Sequence, residues 1–126
     1  MPLRVELKPF ERIVIGESVI INSGNRTSFL VDGEAPILRD KDTVTAETAN
    51  TPAKRLYYCV QVMYLKNDVA RYRSSYLASV DELRRAVPGS GDMIDAVDRH
   101  VSDGALYKAL KEIRKLIRRE EELVAV

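Results

Sequence analysis

Apolar and polar positions alternate at the start of this chain and later change period. Leu3, Val5 and Leu7 take turns with Arg4, Glu6 and Lys8, a period of two that predicts a strand with one buried face. Pro9 fixes its own φ and removes a backbone donor, so the chain is expected to reverse at Pro9-Phe10. Ile13, Val14 and Ile15 are β-branched and predict a second strand ending at Gly16. Glu17-Ser18 allows a turn before Val19, Ile20 and Ile21. Asn22-Ser23-Gly24-Asn25 is the strongest turn signal, because Gly and Asn tolerate positive φ. Thr27 to Val31 predicts another strand, Asp32-Gly33 a turn, and Ile37-Leu38 a short last strand after Pro36. Strands this short and close together predict a small antiparallel meander. Such a sheet is too thin to stand alone, and must bury one face on a helix or on a second copy of itself.

Residues 40–50 are polar and threonine-rich, with Val44 as the larger apolar anchor, and predict a linker. From Thr51 the period lengthens. Thr51-Pro52 is a helix start, with Thr as N-cap and Pro at the first helical position. That helix is expected to run to about Lys66, burying Leu56, Val60 and Met63, with Cys59 and the tyrosines 57, 58 and 64 beside them. Asn67-Asp68 breaks the pattern and caps a second helix from Val69 to Ala86. Its apolar face is Tyr72, Tyr76, Leu77, Val80, Leu83 and Val87. Pro88-Gly89-Ser90-Gly91 ends it. Met93, Ile94, Val97 and Val101 predict a third helix ending near Gly104. Leu106, Leu110, Ile113, Leu116 and Ile117 predict a last amphipathic helix from Ala105 to Leu123. The predicted fold is α+β: a small antiparallel N-terminal β-sheet of about five short strands over residues 1–44, then a C-terminal four-helix region over residues 45–126, packed as one unit.

Composition narrows the function classes. The chain has 126 residues, 45% hydrophobic and 31% charged, as in ordinary soluble domains. A formal net charge of +1 supplies no global attraction for nucleic acid, so such binding requires a local basic patch. Cys59 is the one cysteine, which excludes an internal disulfide, and its apolar helical setting predicts a core residue. His100 is the one histidine and lacks partners at ligand spacing, so no metal and no cofactor are expected. No apolar run is long enough for a membrane span and the first residues lack a signal-peptide core, which predicts a cytoplasmic protein. There is no glycine-rich phosphate loop, no serine–histidine–acid set and no paired catalytic carboxylates. A binding protein is expected rather than an enzyme.

The basic side chains allow two readings. Arg4, Lys8, Arg12, Arg26, Arg39 and Lys41 alternate with Glu6, Glu11, Glu17, Asp32, Glu34, Asp40 and Asp42, as on a solvated sheet with cross-strand ion pairs. If Arg4, Arg12, Arg26 and Arg39 instead converge on one edge, their guanidinium groups suit phosphate and unpaired bases. Those four are the first candidates for RNA contact. The last helix carries six cations in twelve residues, with Glu112 as the sole acid among them. Lys111, Arg114, Lys115 and Arg118 are the second candidates, and their binding would weaken steeply with salt. Glu120-Glu121-Glu122 follows, free by sequence to fold back on these cations, pair with a neighbouring chain or repel phosphate. The apolar end Val124-Ala125-Val126 suggests docking on a partner.

Three blocks carry a family likeness: Leu3-Arg4-Val5-Glu6-Leu7-Lys8-Pro9-Phe10-Glu11-Arg12-Ile13-Val14-Ile15-Gly16, then Ala35-Pro36-Ile37-Leu38-Arg39-Asp40-Lys41-Asp42, then Asn50-Thr51-Pro52-Ala53-Lys54-Arg55. In this order they resemble the FlbT family, small regulators of flagellum biosynthesis in alphaproteobacteria. The resemblance implies post-transcriptional control of flagellin through the 5′ untranslated region of its messenger. It makes the flagellin mRNA leader the expected partner. A protein adaptor or chaperone that holds flagellin or another flagellar regulator is the alternative. The family turn reads Lys-Pro-Gly-Glu-Arg, whereas Phe10 stands here. A Phe resists positive φ, so a type I turn is expected in place of type II. The N-terminal part is also similar, more weakly, to the CsrA-type carbon storage regulators. Those are interlocked β dimers that grip messenger leaders, and Arg39 falls where they keep an RNA-binding arginine. A homodimer is expected on separate grounds, because the thin sheet needs a cover and its short edge strands invite pairing.

Overall fold

A computed structural model describes residues 2–124. Five short strands precede four α-helices, an α+β fold, and the chain divides into two compact units between Thr43 and Val44.

The first unit holds β1 (Leu3–Leu7), β2 (Arg12–Ile15), β3 (Ser18–Ile21), β4 (Thr27–Val31) and β5 (Ile37–Arg39). All pairings are antiparallel, but they form two sheets rather than the meander expected from sequence. β1 pairs with β4, and β2 lies between β3 and β5. At the junction of β1 and β2 the Asn22 side-chain amide donates to the Leu7 carbonyl at 3.1 Å and to the Lys8 carbonyl at 3.0 Å. The inner faces share a core of Val5, Leu7 and Ile13, with Ile15, Phe29, Val31 and Ile37 packed against it. Fully burying each of the first three is worth on the order of 1.5–3 kcal/mol. That is a small core.

The turn between β1 and β2 overturns a second expectation. Glu11 N–H donates to the Lys8 carbonyl at 3.0 Å, closing a β-turn with Pro9 and Phe10 at its centre. Phe10 has φ +64°, so the turn is type II, not type I. Phe10 N–H then donates to the Asn22 carbonyl at 2.6 Å, and Asn22 N–H to the Glu11 carbonyl at 3.0 Å. Two residues of one strand thus face one of the other, a bulge whose first position normally takes glycine. The two-sided hydrogen bonding of Asn22 fixes the geometry and overrides the reluctance of Phe. The ring stays in solvent, 74% exposed.

The second unit holds α1 (Pro52–Lys66), α2 (Arg73–Ala86), α3 (Gly91–Ser102) and α4 (Leu106–Val124). α4 packs on α1 and α3, and α2 packs on α1. Thr51 Oγ1 accepts from Lys54 N–H, as expected of an N-cap, and Asn67 ends α1 in the left-handed region. Asp68 Oδ1 accepts from Arg71 N–H, capping a single 3-10 turn at Ala70–Tyr72 that delays α2 by four residues from its expected start. The side-chain amide of Gln61 clamps Val44 from both sides, accepting from its N–H at 2.8 Å and donating to its carbonyl at 2.9 Å. Leu56, Tyr57, Val60, Met63, Leu83, Ile94, Leu110, Ile113 and Leu116 fill the core. Leu77, assigned from sequence to the buried face of α2, is exposed; that helix buries Tyr76 and Leu83.

Candidate functional site

Four basic residues of the β unit, Lys8, Arg26, Arg39 and Lys41, line one cleft. Glu6, Leu7, Lys8, Glu11, Arg26, Arg39 and Lys41 line about 340 Å³. Lys8 and Glu11 reach it from the β1–β2 turn, Arg26 from the segment before β4, and Arg39 and Lys41 from the end of β5 and the 3-10 turn after it. Glu11 organises this wall. Its Oε1 accepts from Lys8 N–H at 3.1 Å and lies 3.9 Å from Arg39 Nη1, which also reaches the Glu6 carbonyl at 3.4 Å. The Lys8 and Lys41 ammonium groups and the Arg26 guanidinium have no hydrogen-bond or ion-pair partner among the described residues. These three cations stand around one opening beside the Glu6 and Glu11 carboxylates, a setting whose chemistry suits an anion with several oxygens.

The first candidates therefore separate. Arg26 and Arg39 meet in the cleft, whereas Arg4 and Arg12 are held elsewhere. Arg4 Nε donates to Ser28 Oγ at 3.1 Å on the outer face of the β1–β4 pair, and Arg12 sits 3.7 Å from Asp40 Oδ1. Lys8 and Lys41 join the cleft although sequence reasoning did not single them out. Their signal was adjacency: Lys8 opens the Pro9-Phe10 turn and Lys41 follows Arg39 by two positions.

The cations of α4 do not form one track. Arg114 turns inward, with Nη2 3.1 Å and Nε 3.3 Å from the hydroxyl of buried Tyr57, and its guanidinium lies over the Tyr57 and Tyr107 rings. Lys111 covers the Tyr107 ring at 5.2 Å, and Lys115 pairs with Glu112 at 3.1 Å. Arg118 is exposed. Of the following acids, Glu120 folds back within the unit, onto the start of α1 rather than onto the arginines. It is 7% exposed, and its Oε2 accepts from Ala53 N–H at 3.0 Å. The remainder of the apolar end, Ala125 and Val126, lies outside the described residues.

A second concavity, about 510 Å³, runs between α1 and α2, lined by Arg55, Tyr58, Cys59, Val62, Lys66, Tyr72, Ser75 and Ser79. Cys59 is buried there, and burial pushes its thiol up to about 11. The thiolate needed of a nucleophile is thus disfavoured near neutrality. Tyr76 is also raised, first by burial and then by its hydrogen bond to Asp98 at 2.9 Å. Among the described residues no three His, Cys, Asp or Glu side chains gather to hold a metal, and no helix is long and apolar enough to cross a membrane.

Comparison with known proteins places the chain. Residues 3–124 match the family described as "Flagellar protein FlbT". The chain belongs to the FlbT family. A Rhodopseudomonas palustris relative, named probable flagellum biosynthesis repressor protein FlbT, is 63% identical over 125 residues, covering 99% of both chains. A Bradyrhizobium diazoefficiens relative of similar name is 49% identical, over 98% of this chain and 85% of its own. The Caulobacter vibrioides protein named flagellum biosynthesis repressor protein FlbT is 33% identical, over 97% and 89%. No solved structure matches this FlbT-family chain.

Proposed function

We propose that this chain regulates flagellum biosynthesis in the cytoplasm by binding, without catalysis of its own, the 5′ untranslated region of flagellin mRNA, so repressing its translation or promoting its decay. Its FlbT relatives carry the name of flagellum biosynthesis repressors, which supports the regulatory role. The observation that supports RNA as the ligand is the cleft in which Lys8, Arg26 and Lys41 stand unpaired beside Arg39. A guanidinium and two ammonium groups suit successive phosphates, and a planar guanidinium also stacks on an unpaired base. Arg26, Arg39, Lys8 and Lys41 are the proposed contacts. The exposed Arg118 and Lys115 of α4 are secondary.

The test is a salt-titrated binding assay on flagellin leader RNA against a scrambled RNA of the same length. Leader-selective binding is expected, weakened in the double variant Arg26→Ala/Lys41→Ala. Losing two phosphate contacts on a single strand should lower the salt slope by about 1.4. An equal loss in Lys115→Ala/Arg118→Ala would move the site to α4. Absence of selective binding by folded protein at moderate salt would overturn the RNA reading. The groove between α1 and α2, with its tyrosines and Val62, favours the second reading in that event: a protein adaptor that holds a helix of flagellin or of another flagellar regulator.

A further inference from the structure

Strand β3 is the open edge of its sheet, and no described strand pairs with its outer side. All four of its residues are exposed, including Val19 at 46%, Ile20 at 41% and Ile21 at 55%. Natural edge strands are normally blunted by charge, proline or a bulge, and Ser18-Val19-Ile20-Ile21 has none of these on its open side. The backbone register shows which groups are unsatisfied. Asn22 uses both its N–H and its carbonyl on the β2 side, and antiparallel strands alternate in this respect. Ile20 and Ser18 therefore also face β2, opposite Ile13 and Ile15, while the N–H and C=O groups of Val19 and Ile21 face the open edge.

We propose that β3 pairs antiparallel with β3 of a second copy of this chain, joining two three-stranded sheets across a two-fold axis. The register follows from the open groups. Val19 exchanges backbone hydrogen bonds with Ile21 of the second copy, and Ile20 meets its own counterpart on the axis. The strand is complementary to itself in charge as well as in pattern. Glu17, the nearest charged neighbour, lies opposite Ser23 of the second copy, so no like charges meet. A different protein would need a matching uncharged β-branched strand; this chain already supplies one. The pairing also supplies what a sheet with so few buried residues lacks, a continuous neighbour for β-branched side chains on both faces. It does not depend on the RNA reading, since β3 contributes no side chain to the basic cleft.

The test is sedimentation velocity on the full chain between about 1 and 100 µM, beside Ile20→Lys, which opposes two ammonium groups on the axis. The wild type is expected at twice its 14.2 kDa mass. Ile20→Lys is expected to dissociate at least tenfold more readily with an unchanged circular dichroism spectrum. Ile20→Cys supplies a second readout should the lysine variant misfold. It should form an intermolecular disulfide on mild oxidation, whereas Leu30→Cys, on the other sheet and more exposed at 65%, should not. A wild-type monomer throughout the range overturns the proposal, as does a dimer that Ile20→Lys leaves intact or equal cross-linking of the two cysteine variants.

Discussion

Phe10 offers a direct test of the account of the β1–β2 turn. Holding a non-glycine residue in the left-handed region costs about 1–2 kcal/mol. Replacing it with glycine removes that cost but enlarges the unfolded ensemble, which returns about 0.4–1 kcal/mol. The ring is 74% exposed and contributes little packing to weigh against the change. Phe10→Gly is therefore expected to raise stability by roughly 0.5–1 kcal/mol, and for a chain of this size to raise Tm by about 2–5 °C. Phe10→Ala keeps the strain and loses an exposed ring, so it should stay within about 0.5 kcal/mol of wild type. Phe10→Val adds a β-branch at positive φ and should cost about 1 kcal/mol. The chain has no tryptophan, so urea unfolding followed by far-UV circular dichroism is the suitable assay, at one fixed protein concentration in case copies associate. A Phe10→Gly protein less stable than wild type, with Phe10→Ala losing more than about 1 kcal/mol, would show that the ring packs and that the strain argument fails.

Glu120→Ala should destabilise the helical unit by about 2–3 kcal/mol, since it removes a buried charge-assisted hydrogen bond at a helix N-terminus; Glu120→Gln, which keeps an acceptor but no charge, should cost about half as much. A loss under about 0.5 kcal/mol in chemical denaturation would contradict the cap. Cys59 should alkylate with iodoacetamide at pH 8 about a hundredfold more slowly than an exposed thiol, because burial raises its pKa from the ordinary 9.0 to about 11 and so depletes the thiolate by about that factor. Because the folded pKa is the raised one, the stability linked to this thiol is present below its ordinary value of 9.0 and declines as pH rises through about 11. Alkaline denaturation of Cys59→Ala should lack that component. Tyr57→Phe removes the hydroxyl that Arg114 binds, and should cost about 1–2 kcal/mol in urea unfolding while leaving RNA affinity unchanged.

Much of this fold was legible because period and punctuation agree. The strand at Leu3–Leu7 and the helix after Thr51-Pro52 each combine an apolar period with a local start or stop signal, and both lie where they were expected. What escaped was set over a distance. The pairing of β1 with β4 and of β2 with β5 joins segments that no single window of sequence brings together. The φ of Phe10 was misjudged because propensity describes one residue, while the bulge is fixed by two hydrogen bonds to Asn22. The site was half legible: charge type pointed to Arg26 and Arg39. Which cations stay unpaired depends on partners such as Asp40 for Arg12 and Tyr57 for Arg114, and those pairings exist only in three dimensions.

The contact between Glu120 and Ala53 spans 67 positions and has a consequence for synthesis of the chain. α1 is among the first helices to leave the ribosome, yet one donor at its start finds its acceptor only when the last turn of α4 has emerged. Until then, the nascent chain carries a helix with an open N-terminal donor and an apolar face still waiting for Leu110, Ile113 and Leu116. The helical unit thus closes on itself only once α4 has emerged. A ribosome stalled with α4 still in its exit tunnel would hold the β unit complete and the helical bundle unlatched.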